Sequence, residues 1–314
     1  MRRFHFYFLI LFCYPAACQY EEYQVDSIVL HKTYKARTIK TISEEIGQDF
    51  QDQNNLIRAI YIFLASKMTY DLDFGNESFR IRSAAKTKEE QNRITDSELE
   101  RALQLRKGVC WEYAYLFKKL SFYQGIDSEV IPGMRRVDNE LPPLPKYNHV
   151  YNVVELYGEK KFIDCTFPPP TIYNKSVYDR YYLIEPEEFI YLCYPEDTTK
   201  QFLDKPLTYL QFKNLQLATD DKLFLKVKNV NPAVSNILIK QGQKTSISLE
   251  LGRLNALDEI FVLVNNRNVE GVEVTKSRIN INVNIKPNDS VMVMGRKIAA
   301  KGSIFYNLVS YKGN

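Results

Sequence analysis

The apolar residues in the first part of the chain follow the spacing of helices. They do so over residues 56–65, again after Asp96, which is the predicted N-cap of a second helix, and a third time from about Val109. Gly125 follows the third pattern. Residues 75–95 are polar and predict an exposed loop or short helices. The chain ahead of residue 125 is therefore predicted to be helical.

Beyond Gly125 the pattern changes to β-strands. Strands are predicted at 128–132, 149–156 and 161–167, so helices are followed by an antiparallel sheet, which is an α+β order. From Pro206 onward the pattern predicts strands alone, at 224–228, 244–251, 259–264, 279–285 and 291–294. Five short strands separated by Asn, Gly and Pro turns favour a β-sandwich.

The N-terminus has the three parts of a secretory signal. Arg2 and Arg3 precede an apolar run over residues 4–14, and small residues lead to Cys18. We expect residues 1–18 to be a signal peptide and the protein to be exported. Cleavage after Cys18 gives a secreted chain, whereas cleavage before Cys18 gives a lipid anchor at the cell surface. Pro15 fits a lipoprotein signal poorly, which favours simple secretion. The alternative is a buried N-terminal helix.

Composition and charge agree with two folded domains after this segment. Of the 314 residues, 45% are hydrophobic and 25% are charged. We expect an α+β domain over residues 19–205 and an all-β, immunoglobulin-like sandwich over residues 206–314. Loss of Arg2 and Arg3 lowers the formal charge from +4 to +2. A nearly neutral chain gives no electrostatic reason to expect a nucleic acid partner, and no further apolar stretch predicts a membrane span.

Three cysteines certainly remain after removal of the signal segment: Cys110, Cys165 and Cys193. Their irregular spacing is neither a disulfide framework nor a zinc pattern, and the chain has no calcium-binding loop. We therefore expect no metal and no organic cofactor. An odd number of cysteines in an exported chain needs an explanation, and one explanation is a reactive thiol. A structural disulfide between Cys110 and Cys165 is the alternative.

Cys110 begins the third predicted helix, directly after Gly108-Val109. Unpaired amide groups and the helix dipole at that end favour an anion, so a thiol there loses its proton more easily than a free cysteine does. Gly108 allows a sharp turn just before the thiol. The alternative for this segment alone is a core cysteine packed between Tyr113 and Phe117.

His149 and Asp164 fall on two neighbouring predicted strands. Their separation is odd, and directly opposed residues of a hairpin with a two-residue turn also have odd separations, so both side chains lie on one face. With the turn at Tyr157-Gly158, His149 opposes Thr166 and Asp164 is its diagonal neighbour, within side-chain reach. A carboxylate that orients an imidazole beside a thiol forms an activated cysteine nucleophile.

These segments together resemble the transglutaminase-like (papain-related) core, and within it the kyphoscoliosis peptidase branch. The resemblance covers roughly residues 55–205, and its segments are Arg106–Ala114, Gly125-Ile126 with Gly133, His149–Val154, Phe162–Phe167, Tyr181–Ile190, Tyr194–Asp197 and Gln201–Leu203. It implies Cys110 as nucleophile, His149 as general base and Asp164 as the residue that orients His149. Members of the branch often carry a β-sandwich after the core.

The resemblance implies a thiol enzyme that acts on protein amide bonds, most readily a cysteine peptidase with a protein or peptide substrate, and the signal peptide predicts that this enzyme is exported. Two alternatives stay open: an inactive scaffold that binds a protein or glycan partner, and a transamidase or deamidase of protein glutamine. Trp111 and Cys193 depart from the family pattern. Tyr70 matches a common family feature ahead of the core; packing is its expected role, and a place in the lining of the site is the alternative. The backbone amide of Cys110 is the expected oxyanion donor.

Overall fold

The computed structural model describes residues 16–136, 141–166, 179–215, 225–234, 236–237, 244–299 and 302–313. Most of the predicted signal segment lies outside these ranges, so the signal peptide and the lipid anchor remain predictions. The predicted cut at Cys18 falls within the first helix, Ala16–His31.

Helices form most of the chain ahead of the first large sheet. They are α1 (Ala16–His31), α2 (Ile39–Gly47), α3 (Gln53–Lys67), α4 (Leu72–Ser83), α5 (Lys88–Leu105) and α6 (Cys110–Tyr123), with two short helices, α7 (Pro186–Phe189) and α8 (Tyr209–Asn214), further on. Every residue of α3 from 56 to 65 is buried, as in a helix enclosed by its neighbours. Among the described helices, none is both long enough and apolar enough to cross a bilayer.

The second predicted helix begins earlier than its apolar residues indicate. Thr87 is its N-cap and accepts a hydrogen bond from the Glu90 amide at 3.1 Å. Asp96 lies inside the helix and its carboxylate pairs with Lys119 at 2.8 Å. The prediction of an N-cap at Asp96 is therefore wrong, because the first two turns of this helix face solvent and carry no apolar stripe.

A four-stranded antiparallel sheet follows the helices. Its strands are β3 (Ser128–Arg135), β4 (His149–Leu156), β5 (Glu159–Ile163) and β6 (Cys193–Pro195), in the order β5-β4-β3-β6. Tyr157 and Gly158 both have positive φ, as a tight two-residue hairpin turn requires, and Leu156 pairs with Glu159. Helix α6 packs on β4, and the Asn152 side-chain amide on β4 donates to the Ala114 carbonyl at 3.0 Å. The predicted α+β order is present in the structure.

A buried ion pair attaches α1 to this core. Arg58 on α3 donates two hydrogen bonds of 2.7 Å to Asp26 on α1, and it pairs with Asp179 at 3.0 Å. Its guanidinium also lies 4.7 Å from the centre of the Tyr182 ring. Removing one partner of such a pair would leave a buried charge uncompensated, so loss of Arg58 or Asp26 alone would weaken the attachment of α1.

The rest of the described chain is mainly β-structure in two sheets. One has the order β12-β13-β9-β7 and the other β11-β10-β14-β15-β8. The strands are β7 (Val227–Asn231), β8 (Asn236–Ile237), β9 (Thr245–Leu251), β10 (Glu259–Val264), β11 (Arg267–Val269), β12 (Val272–Thr275), β13 (Arg278–Val283), β14 (Ser290–Ala299) and β15 (Gly302–Gly313). Buried residues of both sheets, such as Ile247 and Val293, belong to one hydrophobic cluster. The sandwich and the domain boundary at residue 206 stay predictions.

The expectation of strands alone after Pro206 is wrong for residues 209–214, which form α8. Thr208 caps this helix and accepts from the Gln211 amide at 3.3 Å, which gives the segment a helix-start signal. Phe212 is fully buried and packs against Met134 and Tyr194 of the four-stranded sheet. A single buried aromatic residue gives little periodicity, so the apolar pattern did not predict this helix.

Candidate active site

Cys110 is the first residue of α6, and a short parallel bridge holds the turn before it. Strands β1 (Thr69–Tyr70) and β2 (Lys107–Gly108) pair Tyr70 with Gly108. A Cβ atom on Gly108 would lie 2.7 Å from Cβ of Glu112, so only glycine lets the turn pass this close to the helix. Cys110 is partly exposed at the N-terminus of this helix.

His149 opens strand β4, and Asp164 directly follows β5. His149 Nε2 and Asp164 Oδ2 are 2.6 Å apart, and both side chains are buried. The other carboxylate oxygen of Asp164 accepts a hydrogen bond from the Thr166 amide at 3.0 Å. The hairpin therefore brings the two side chains together in the register expected from the turn at Tyr157-Gly158.

The imidazole joins Asp164 to Cys110. Burial disfavours its charged form, but the Asp164 carboxylate, together with the hydrogen bond to Cys110 and the charge there, raises the pKa of His149 to about 9. Since Nε2 is bound to Asp164, Nδ1 is the nitrogen that remains for the thiol. Burial acts to raise the pKa of Asp164, but the charge and hydrogen bond of His149 and the hydrogen bond from Thr166 lower it. The structure thus brings the three predicted residues together, and their catalytic roles remain predictions.

Tyr70 lies beside the thiol, in agreement with the alternative to its expected packing role. Burial and the charges of Cys110 and Asp164 raise the pKa of Tyr70, while a hydrogen bond from the Cys110 backbone amide to its oxygen opposes that shift. The Tyr70 hydroxyl thus lies beside the amide expected to be the oxyanion donor. Its ring packs 6.5 Å from Tyr113 and is 41% exposed. Only the pairing with Gly108, far along the chain, places Tyr70 here.

The other two cysteines are buried and lie outside this arrangement. Cys110, Cys165 and Cys193 are all free thiols, so the alternative of a Cys110–Cys165 disulfide is wrong for this structure. Cys165 packs in the hydrophobic core while its neighbour Asp164 faces His149, as alternation along an extended segment predicts. Burial raises the pKa of the Cys165 and Cys193 thiols well above the ordinary value. Within the described ranges, no group of three His, Cys, Asp or Glu side chains is arranged to hold a metal ion.

Comparison with known proteins gives similarities at low identity. No family model matches the sequence. The chain is 27% identical over 161 residues to the LIM and transglutaminase domain protein ltd-1 of Caenorhabditis elegans, which is 44% of this chain and 22% of that protein. It is 23% identical over 236 residues to the kyphoscoliosis peptidase of Mus musculus, which is 72% of this chain and 33% of that protein.

These similarities support a transglutaminase-like relationship. The chain covers a third or less of the length of these two relatives, so their whole-protein activities do not transfer directly. A solved structure of a TGase covers 52% of this chain and 41% of its own, at 17% identity and a TM-score of 0.31. That structural likeness is too weak to add to the assignment.

The ion pair between His149 and Asp164 predicts a specific histidine titration. Because the folded pKa of His149 is about 9, its imidazole is protonated at neutral pH and loses the proton only near pH 9. In Asp164→Asn the pKa should fall by at least about one unit, because a neutral amide no longer stabilises the imidazolium. NMR of the imidazole resonances measures both values, and His31→Gln identifies the signal of the exposed histidine.

Asp197→Asn, which removes an exposed carboxylate, is the control and should leave the His149 titration unchanged. A His149 that titrates near 6.5 in the natural protein, or that is unaffected by Asp164→Asn, would contradict the electrostatic account of the site.

Proposed function

We propose that this protein is a thiol enzyme that acts on protein amide bonds through an acyl-enzyme, with Cys110, His149 and Asp164 as its triad. The observation that carries the proposal is a partly exposed cysteine at a helix N-terminus, beside a buried histidine that a carboxylate holds at 2.6 Å. Each part lowers the cost of forming a thiolate beside a proton donor.

In the first half of the reaction, the Cys110 thiolate attacks the carbonyl carbon of the substrate amide and a C–S bond forms. The carbonyl electron pair moves onto oxygen. This oxyanion then replaces the Tyr70 oxygen as the acceptor of the Cys110 amide hydrogen bond, and the adjacent Tyr70 hydroxyl donates a second hydrogen bond to it. His149 donates its Nδ1 proton to the departing amine, the C–N bond breaks, and a thioester remains on Cys110.

In the second half, an acceptor attacks the thioester. His149, now neutral, takes a proton from the acceptor, and Asp164 stabilises the imidazolium that forms again. The C–S bond breaks and the thiolate returns. Water as the acceptor gives a carboxylate, which is hydrolysis, whereas a primary amine gives a new amide.

Hydrolysis of peptide bonds is the first choice among these reactions. It is supported by the similarity to the kyphoscoliosis peptidase, which extends over 72% of this chain. Attack on glutamine side chains is the second choice, because the similarity to ltd-1, a protein named for a transglutaminase domain, covers 44% of the chain. We further propose that the protein is exported and that residues 1–18 are removed as a signal peptide.

Unfolded casein with dansylcadaverine as the amine acceptor tests both reactions in one assay. We expect new peptide N-termini by mass spectrometry with the natural protein and none with Cys110→Ala, because the thiol forms the acyl-enzyme. Fluorescent casein without new N-termini would indicate that the enzyme joins the amine to glutamine side chains rather than cleaving peptide bonds.

A natural protein that gives neither product, and no thioester on Cys110 by intact-mass measurement, would contradict an amide-cleaving enzyme. It would favour the alternative of a binding scaffold. Cys193→Ala is the matched control, since this buried cysteine lies outside the triad and its removal should leave the products unchanged.

Tyr70→Phe should lower kcat in the same casein assay by about 10- to 100-fold, with little change in KM, because one oxyanion donor is lost in the transition state. Tyr123→Phe is the control, since Tyr123 is similarly exposed, at 45%, but lies at the opposite end of α6. A Tyr70→Phe enzyme with the natural kcat would show that the hydroxyl takes no part in catalysis.

A further inference from the structure

Arg82 on α4 contacts both residues that follow Cys110 along the chain. Its guanidinium pairs with Glu112 at 2.7 Å and lies 3.5 Å from the centre of the Trp111 ring. Trp111 in turn stacks on Tyr115, with 4.4 Å between ring centres. The buried guanidinium of Arg82 therefore fixes the first turn of α6 to α4.

Glu112 connects this cation to the backbone just before the thiol. Its side chain is fully buried, and Oε2 accepts a hydrogen bond from the Val109 amide at 2.9 Å. The other oxygen accepts from the Ser78 hydroxyl at 2.8 Å and from Arg82. The carboxylate thus fixes the N-cap of α6 to two side chains of α4, which sets the direction of the neighbouring Cys110 amide.

Helix α4 also supports the Tyr70 side of the site. Asp71 follows Tyr70, caps α4 through the Phe74 amide at 2.9 Å, and pairs with Lys107 at 2.7 Å. A Cβ atom on Gly75 would lie 2.4 Å from a Val109 methyl carbon, so α4 lies directly against the turn that leads to the thiol. One helix therefore holds both groups assigned to the oxyanion.

The buried charges beneath Cys110 nearly cancel. Glu112 alone would place a negative charge two residues from the thiolate and oppose its formation, and Arg82 neutralises it. Among the described residues, His149 and Tyr70 also lie near the thiol, and Asp164 lies behind His149. Removal of Arg82 and removal of the Glu112 charge should therefore shift the pH profile of alkylation at Cys110 in opposite directions.

We propose that Arg82 and Glu112 are positioning residues that hold the Cys110 amide toward the oxyanion and keep the field at the thiolate close to neutral. This inference rests on the proposed thiol chemistry of Cys110. A buried ion pair is weak support for stability, since desolvation offsets most of its attraction, so a role in positioning gives the pair a separate purpose.

The test is the pH profile of iodoacetamide alkylation at Cys110, read by peptide mass spectrometry on the intact chain. Arg82→Met should move the profile to higher pH and slow alkylation at pH 7 about tenfold, because the Glu112 carboxylate is left unneutralised. Glu112→Gln should move it to lower pH, because Arg82 then adds an unpaired positive charge. Arg82→Met/Glu112→Gln should return the profile to that of the natural protein.

Arg58→Met is the matched control, since Arg58 is also a buried, carboxylate-paired arginine but its partner Asp26 lies on α1, and its loss should leave the profile unchanged. If the pair had only a structural role, all these variants would be less stable or be alkylated more slowly to a similar extent. Their pH profiles would not shift in opposite directions, and the double variant would not restore the natural profile. A Glu112→Gln profile that matches the natural protein, or an Arg82→Met shift that the double variant does not reverse, would overturn the proposal. If His149→Ala leaves the natural rate unchanged, the thiol chemistry itself fails, which is a different outcome.

Discussion

The hydrogen bond between His149 and Asp164 depends on the register of a single β-hairpin. Tyr157 and Gly158 both adopt positive φ, and this tight turn sets which residues of β4 and β5 oppose each other. A slip by one residue would turn one of the two side chains to the opposite face of the sheet and break the pair. The Asp164 carboxylate, 2.6 Å from the ring, is the main partner that raises the pKa of His149, and Cys110 adds to this effect.

The nucleophile comes from a different layer and is held by different forces. Cys110 begins a helix that packs on β4, and its backbone is fixed by the β1–β2 bridge and by the buried Glu112 carboxylate. The packing of α6 on β4 thus places the thiol next to the imidazole, while hydrogen bonds at the start of α6 set the orientation of the Cys110 backbone. Tyr70 joins the site through the same bridge, since its partner Gly108 lies two residues before the thiol.

The sequence allowed the sheet side of the site to be predicted because a hairpin is local. Its two-residue turn and the odd separation of His149 and Asp164 are both visible in one short segment. The position of Tyr70 was not predictable in this way, because its pairing with Gly108 joins segments 38 residues apart. The helix at Tyr209–Asn214 was missed because a single buried residue, Phe212, carries its packing. Strand β15 was missed because polar residues such as Asn307 interrupt its apolar pattern.

Activation of Cys110 by His149 is the claim on which the proposed chemistry depends. The most direct measurement is the pH dependence of iodoacetamide alkylation at Cys110 in the natural protein and in His149→Ala, followed by mass spectrometry. The account predicts rapid labelling well below pH 8 that is lost in the variant, with Cys165 and Cys193 labelled far more slowly because both are buried. Slow labelling of Cys110 that is unchanged in His149→Ala would contradict it.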